Sequence, residues 1–131
     1  LTTNKMDDCI FCKKMKNEEF KILHENGYWM LVNDGYEVSP GHMLIISKMH
    51  FEHFFETSHR ANLHLYPMII KAKKLIEKKF SPNGYNIGLN AGKAAGQTVM
   101  HTHIHVIPRY EDDCLDPTGG IRNVIPGKGK Y

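Results

Sequence analysis

Three histidines at every second position give this sequence its clearest chemical potential. They are His101, His103 and His105. In a β-strand the side chains of alternate residues lie on one face of the sheet, so this spacing predicts a row of imidazoles on a common face. The residues between and after them are β-branched, which favours a half-buried strand. These residues are Thr102, Ile104 and Val106.

A glycine-rich stretch at residues 92–98 precedes the histidines. Its glycines leave main-chain N–H groups accessible, and Gln97 and Thr98 add polar side chains, so the stretch is suited to holding an anion. A Walker A loop is excluded, because its lysine and serine or threonine directly follow the last glycine, whereas Gln97 follows Gly96 here. Together with the imidazole row, the stretch predicts phosphate chemistry with a histidine as nucleophile or acid.

The chain has three cysteines, and two of them form a Cys-x-x-Cys motif near its start. An odd number of cysteines argues against a disulfide framework and favours a reducing compartment. A redox Cys-x-x-Cys motif normally follows a strand in a βαβ unit, whereas no strand is predicted before Cys9. Metal binding by Cys9 and Cys12 is therefore the favoured interpretation, with two metal-free thiols as the alternative.

The hydrophobic pattern predicts an α+β fold with an antiparallel sheet, because it lacks the regular alternation of strands and helices that a parallel sheet requires. A long helix is predicted from Ser58, as its N-cap, to about Phe80, with a kink or break near Pro67. The other predicted elements are a short helix at 8–16 and strands at 20–23, 28–33, 42–47, 85–90 and 101–107.

Length and composition fit a single domain over residues 1–131. The net charge of +3 is too small to indicate a nucleic-acid partner, and the lysine-rich segment 71–79 is interpreted as a solvated helix face. No apolar run reaches the about 20 residues of a membrane span and no signal peptide is recognisable, so we expect a cytoplasmic protein. Residues 1–7 are expected to be a flexible N-terminus or a non-native remnant, and residues 111–131 an irregular tail.

The run from Gly96 to Ile107, GQTVMHTHIHVI, resembles the signature of the histidine triad (HIT) family of nucleotide hydrolases and transferases. The resemblance spans residues 8–110, and the zinc-type cysteines and the tail are similar to those of small bacterial members. It implies a HIT-like fold of about five antiparallel strands with a short N-terminal helix and one long helix. It also implies hydrolysis at the α-phosphate of adenosine or other purine 5′-phosphoryl compounds through a nucleotidyl-histidine intermediate.

The resemblance also implies roles for individual residues. His103 is the implied nucleophile, and His105 and His42 position it and the phosphate oxygens. Gln97 and Thr98 are implied to hold the phosphate or to help the leaving group take its proton. The implied nucleotide-binding residues are Asp34 for the ribose, Val32, Asn90, Gly96, Gln97, Thr98, His103 and His105. An aromatic residue is common in the family where Val32 stands, so base preference stays open.

A structural zinc ion is implied as well, with Cys9, Cys12, His50 and His101 as its ligands. Such a Cys₂His₂ set is a closed tetrahedral shell, so the metal would brace the site without activating water. The residues alone leave a competing interpretation open. In it the three alternating histidines hold a catalytic zinc, because strand histidines at this spacing also serve as metal ligands.

Two substrate classes stay open at this stage: dinucleoside polyphosphates such as diadenosine tetraphosphate, and purine nucleoside phosphoramidates. A non-catalytic nucleotide-binding sensor or scaffold is the alternative from another functional class. Loss of the middle histidine would favour that alternative, and His103 is present.

A homodimer is expected from the long helical segment 59–80, which is apolar on more than one side. A helix that covers one sheet face needs only one apolar stripe. The residues partly outside that stripe are Leu65, Tyr66 and Ile70. The resemblance also implies a two-fold dimer that pairs through this helix. The alternative is that residues 121–131 cover the same surface within one chain.

Overall fold

A five-stranded antiparallel sheet with helices on both faces organises residues 5–131, which are the residues that the computed structural model describes. The strands lie in the order β1-β2-β3-β5-β4. Their bounds are β1 His24–Glu25, β2 Trp29–Asn33, β3 Met43–Ser47, β4 Gly84–Gly88 and β5 His103–Arg109. The helices are α1 Lys5–Asp8, α2 Ile10–Lys16, α3 His59–Leu63 and α4 Leu65–Lys79, with 3-10 turns at Phe54–Glu56, Lys93–Ala95 and Gly120–Val124. The predicted α+β class is confirmed.

Helices α3 and α4 cover one face of the sheet. They enclose the larger hydrophobic core, in which inward side chains of three strands meet those of the helices. Its buried residues are Trp29, Leu31, Met43, Ile45, Ala61, Met68, Ala72, Ile76, Ile104 and Val106. Trp29 also donates its indole N–H to the carbonyl of Ala61 at 2.8 Å, which satisfies the one polar atom of that buried ring.

Helix α2 covers the opposite face, which we call the site face. A smaller core of Cys9, Phe11, Met30, Val32, Leu44 and Ile46 lies there. In the register of β3 and β5, Ile46 pairs with His103 and Leu44 pairs with His105. Directly paired residues point to the same side of an antiparallel sheet, so both histidines lie on the site face beside this core.

The long helix begins where predicted and is interrupted before Pro67. Ser58 is its N-cap, and its hydroxyl accepts the N–H of Ala61 at 3.1 Å. Because Pro67 lacks an N–H and its ring would clash with the carbonyl of Leu63, α3 ends at Leu63. Helix α4 restarts at Leu65, which places the proline in its first turn, where the missing N–H is not needed.

Three predicted strand boundaries are wrong. The strand predicted at 85–90 ends at Gly88. Residues 20–23 are not a strand, and β1 has only the two residues beside the turn at Asn26. Strand β5 begins at His103, so His101 does not share its regular strand geometry. The main chain departs from the sheet before β5, because the N–H of Thr102 donates to the carbonyl of Phe51 at 2.7 Å.

The predicted single helix at 8–16 is two helices, with Cys9 between them as the N-cap of α2. The predicted flexible segment 1–7 overlaps α1 at residues 5–7, and its first four residues lie outside the described part of the chain. The C-terminal tail contains one 3-10 turn, and Ile121 of that turn approaches Gly88 on the site face. No helix of the described residues has the length and apolar character needed to cross a bilayer.

We expect Ile76→Ala to lower the free energy of unfolding by about 2–5 kcal/mol, because Ile76 is fully buried between α4 and the sheet and truncation leaves a cavity. Chemical denaturation monitored by Trp29 fluorescence measures the change. Lys74→Ala, at an exposed position of the same helix, is the matched control and should change stability by less than about 0.5 kcal/mol. Equal effects of the two substitutions would contradict this account of the core.

Candidate active site and metal site

Four side chains from three parts of the chain meet at the edge of the site face. They are Cys9, Cys12, His50 and His101, and their ligand atoms all lie within 4.8 Å of one another. The His101 Nδ1 atom is 3.3 Å from the Sγ of Cys9 and 3.5 Å from the Sγ of Cys12. The Nδ1 atom of His50 is 3.3 Å from the Sγ of Cys12 and 3.2 Å from the Nδ1 of His101.

These separations fit a tetrahedral metal site. Zn–S bonds of about 2.3 Å and Zn–N bonds of about 2.0–2.1 Å place neighbouring ligand atoms about 3.3–3.8 Å apart. His101 also presents the correct nitrogen, because its Nε2–H donates to the carbonyl of Ser47 at 2.7 Å and leaves the Nδ1 lone pair towards the thiols. The residues therefore fit a bound metal ion.

The protonation states at this cluster follow from burial. Burial lowers the pKa of His101 to about 4, although its bond to the Ser47 carbonyl opposes that shift. The imidazole is therefore neutral, which is the form that binds a metal. Burial and the nearby Cys9 thiol raise the pKa of Cys12 to about 12 when no cation is present. A metal cation compensates the cost of the thiolates, so metal binding should release protons.

The His103 imidazole is held by the main chain of the residue two positions earlier. Its Nδ1–H donates to the carbonyl of His101 at 2.7 Å. The lone pair therefore lies on Nε2, and His103 is one of the residues that line the cleft next to β5. A neutral imidazole with a free Nε2 lone pair is a competent nucleophile towards phosphorus.

His105 has the opposite arrangement of donor and acceptor. The main-chain N–H of Val38 donates to Nδ1 of His42 at 3.2 Å, so the proton of His42 lies on its Nε2. That Nε2–H is 2.9 Å from Nδ1 of His105. Nδ1 of His105 must therefore accept this hydrogen bond, and the proton of His105 lies on Nε2. Of these two alternate residues of β5, His103 thus presents a lone pair on Nε2 and His105 an N–H donor on Nε2.

Asp34 completes this chain of contacts. Its Oδ2 lies 3.3 Å from Nε2 of His42 and 3.9 Å from Nδ1 of His105, and its Oδ1 accepts the N–H of Tyr36 at 2.8 Å. Burial lowers the pKa of His42, and Asp34 opposes that shift. Burial, with smaller contributions from His103 and His42, lowers the pKa of His105 to about 4, again opposed by Asp34.

The Asp34–His42–His105 group brings an oxygen and two nitrogens within 4.8 Å, but its proton positions do not suit a metal ion. The Val38 N–H occupies the Nδ1 lone pair of His42, so the proton on its Nε2 points to where a metal would lie. His101, His103 and His105 do not converge on one point either, since His101 faces the thiols and His103 donates to a carbonyl. The interpretation of the triad as a zinc site is therefore disfavoured.

The chain matches the family model described as HIT domain over residues 14–112. The chain belongs to the HIT family. A HIT-like protein of Methanocaldococcus jannaschii is 40% identical over 120 residues, which are 88% of this chain and 91% of that protein. Adenylylsulfatase HINT3 of Arabidopsis thaliana is 35% identical over 117 residues. That match covers 88% of this chain, which thus spans only 59% of the plant protein.

Solved HIT structures have the same fold. A HIT family protein from Bacillus anthracis is 34% identical with a TM-score of 0.76, covering 82% of this chain and 77% of that one. A Zn-bound histidine triad family protein from Mycobacterium smegmatis is 27% identical with a TM-score of 0.74, covering 85% of this chain and 81% of that one. The predicted family and HIT-like fold are confirmed.

A cleft of about 490 Å³ opens on the site face of this HIT domain. It brings together most of the nucleotide-binding residues predicted from the sequence. Those lining it are Val32, Asp34, Asn90, Gly96, Thr98, His103 and His105, joined by Ile10, Phe11, Lys14 and Phe20 from the N-terminal region. Its floor is the sheet and one wall is α2, so the cleft combines apolar sides with a polar end at the histidines.

Gln97 lies beneath the cleft instead of lining it. Its Oε1 accepts the N–H of Gly92 at 2.8 Å, and its amide NH₂ donates to the carbonyls of Glu52 and Val99. The side chain is 5% exposed, so its hydrogen bonds shape the glycine-rich loop. This position differs from the direct phosphate contact predicted for Gln97.

A second cavity of about 360 Å³ adjoins the cleft and shares His105 and Asn90 with it. It lies between β4, β5 and the 3-10 turn of the tail, where Ile107, Ile121 and Val124 line it. The sequence does not reveal this cavity, because no periodic pattern places the tail. The sequence also does not reveal that the Val38 amide bonds His42 and the Ser47 carbonyl bonds His101, since main-chain partners leave no mark on it.

We expect one zinc ion per chain in protein purified without chelator. Cys9→Ser/Cys12→Ser should abolish binding, because both thiols belong to the four-ligand cluster. Elemental analysis measures the stoichiometry, and thermal unfolding should show a lower Tm after chelation. Cys114→Ser, at an exposed thiol outside the cluster, is the control and should leave zinc content unchanged. Zinc that persists in the double variant would place the metal elsewhere.

Proposed function

We propose that this chain is a nucleotide hydrolase that cleaves nucleoside 5′-phosphoryl compounds at the α-phosphate with His103 as nucleophile. The observation that carries the proposal is the 2.7 Å hydrogen bond from His103 Nδ1–H to the His101 carbonyl, which leaves the Nε2 lone pair free on a residue that lines the cleft. Membership of the HIT family, whose members include nucleotide-binding proteins and hydrolases, supports the same reading.

The reaction has two displacement steps. In the first, the Nε2 lone pair forms an N–P bond and the bond from phosphorus to the leaving group breaks, so the leaving group departs with its electron pair and takes a proton. In the second, water attacks the same phosphorus, the N–P bond breaks, and the nucleoside monophosphate leaves with His103 restored. Covalent catalysis of this kind divides one difficult hydrolysis into two easier steps.

His105 stabilises charge on the phosphate during both steps. Its Nε2–H donor follows from the Val38–His42–His105 chain of hydrogen bonds, and its low pKa keeps the ring neutral. A fixed donor aimed at the phosphate oxygens is worth more inside a cleft than in water. The Thr98 hydroxyl is proposed to pass its proton to the leaving group in the first step and to take one from the attacking water in the second, and Asn90 holds the phosphate or the ribose.

Asp34 is proposed to accept the ribose hydroxyls. One of its oxygens is already bonded to the Tyr36 N–H and the other faces His42, but a carboxylate has about four lone-pair sites and can accept further donors. The nucleobase then lies against α2 and the segment after it, where Ile10 and Phe20 supply an apolar wall. Phe20 thus provides an aromatic ring near the base although Val32 is aliphatic.

The substrate class is proposed as adenosine or other purine 5′-phosphoryl compounds. Dinucleoside polyphosphates such as diadenosine tetraphosphate, nucleoside phosphoramidates and adenylyl sulfate share the nucleoside α-phosphate and differ in the leaving group. The last of these is included because one relative is an adenylylsulfatase. A turnover panel of the three classes ranks them, since only the leaving-group side of the cleft distinguishes them.

Zinc is proposed as the metal of the Cys9–Cys12–His50–His101 cluster. A closed Cys₂His₂ shell supplies a structural brace and no reactive position, so the chemistry belongs to the histidines. Both cysteines must stay reduced to bind it, which supports a cytoplasmic location.

We expect His103→Asn to abolish turnover and to leave nucleotide affinity within about tenfold of wild type, because it removes the nucleophile and keeps the cleft walls. Steady-state kinetics and calorimetric titration with a nucleoside monophosphate measure the two quantities. Mass spectrometry of a quenched wild-type reaction should show a nucleotidyl adduct on His103.

The control is His24→Asn, which changes an exposed histidine of β1 that lies outside the cleft. It should retain full turnover. Turnover of His103→Asn within tenfold of wild type would refute the mechanism, and nucleotide binding without turnover in wild type would favour the sensor or scaffold alternative.

A homodimer is proposed through α4 and the neighbouring edge strand β4. Tyr66 is 67% exposed on α4, which leaves apolar surface that a partner would cover. The tail does not cover it, because Ile121 lies against Gly88 on the site face, opposite α4.

Light scattering at micromolar concentration should give twice the 15.1 kDa mass of one chain. Tyr66→Glu should shift the mass towards that of the monomer, because it buries a charge in the proposed interface. Lys78→Glu, at an exposed position in the last turn of the same helix, is the control and should stay dimeric. A monomeric wild-type chain would refute the proposal.

A further inference from the structure

Phe11 lies between the two cysteines of the candidate metal site and is 9% exposed. Its ring packs against His103 with a centroid distance of 5.3 Å and an interplanar angle of 79°. The same ring packs against His101 at 5.7 Å and 71°. One aromatic ring therefore contacts both a candidate metal ligand and the proposed nucleophile.

We propose that Phe11 is a positioning residue, which transmits the geometry of the metal site to the imidazole of His103. The inference rests on the proposed function, because it takes His103 as the nucleophile. Phe11 does not touch the reacting phosphorus in this scheme. It acts through His103 by fixing the plane of the imidazole and hence the direction of the Nε2 lone pair.

The hydrogen bond to the His101 carbonyl is not sufficient to fix that plane. It selects the tautomer only while it is formed, and rotation about the second side-chain torsion, which is easy for a histidine ring, breaks it. Packing supplies the missing constraint, since the rings of Phe11 and His105 both pack against the His103 ring. The centroid distance between His105 and His103 is 5.4 Å. The edge-to-face geometry of the Phe11 contact is a favourable one for aromatic pairs.

Phe11 depends in turn on the metal site. Helix α2 has only seven residues, and a helix of this length is marginal on its own. Its N-cap is Cys9, whose Sγ accepts the N–H of Cys12 at 3.4 Å, so both candidate thiol ligands belong to its first turn. A metal ion that joined them to His50 and His101 would fix this turn, and with it the phenyl ring, against the sheet.

The test is Phe11→Leu in the metal-loaded protein. We expect kcat to fall about tenfold with KM within about threefold, since a misdirected nucleophile slows chemistry more than binding. Zinc content should stay at one per chain. Nitrogen NMR of the imidazoles should show a single Nδ1–H tautomer for His103 in wild type and an averaged signal in the variant. Chelation of wild type should produce the same change at His103.

Met15→Ala is the matched control, because Met15 packs from the same helix onto the same small core and does not line the cleft. It should preserve kcat and the His103 signals. If Phe11→Leu lowers zinc content or Tm, Phe11→Met repeats the test with similar volume and no ring, and the same changes at His103 are expected.

Unchanged kcat and unchanged His103 nitrogen signals in the Phe11 variant would overturn the inference, and so would equal changes in Met15→Ala. Failure of the proposed function is distinguishable from these results. In that case wild type itself would show no turnover, while the NMR comparison would still decide whether Phe11 and the metal orient His103.

Discussion

The arrangement of the site face depends on three contacts of His101. Its Nδ1 faces the two thiols, its Nε2–H is bonded to the Ser47 carbonyl at the end of β3, and its own carbonyl holds His103. The residue lies just before β5 instead of within it. That break in strand geometry lets the side chain point to the metal cluster while the next two histidines of the triad remain in the cleft.

The histidines of the site face have different chemical roles because their protons lie on different ring nitrogens. At the metal cluster a carbonyl fixes the proton on Nε2 of His101, and in the cleft another carbonyl fixes it on Nδ1 of His103. A main-chain amide at Val38 then determines the donor of His105 through His42. Neutral rings with fixed tautomers are required for this division, and burial keeps the pKa of His42, His101 and His105 low.

The secondary-structure elements that depend on hydrophobic periodicity and on helix-capping residues could be predicted from the sequence. Ser58 as N-cap, the helix break near Pro67 and the antiparallel sheet all follow from local chemistry, and the four-residue metal cluster follows from resemblance. The predicted start of β5 at His101 is wrong because the Thr102 N–H donates to the distant Phe51 carbonyl. That bond keeps residues 101 and 102 out of the strand. The phosphate contact predicted for Gln97 differs from the structure because nothing in the sequence of a glycine-rich loop shows that the amide is already hydrogen-bonded to the main chain.

The Val38 amide has a consequence for how this site tolerates mutation. The group that fixes the His42 tautomer is an N–H that every residue except proline carries, and the Val38 side chain is 71% exposed. Sequence drift at position 38 therefore leaves the acid–base state of the cleft intact provided that the backbone path is kept. Proline alone lacks this donor. The cleft should therefore tolerate wide variation at position 38 and be impaired by one substitution, which would leave the His42 proton free to move to Nδ1.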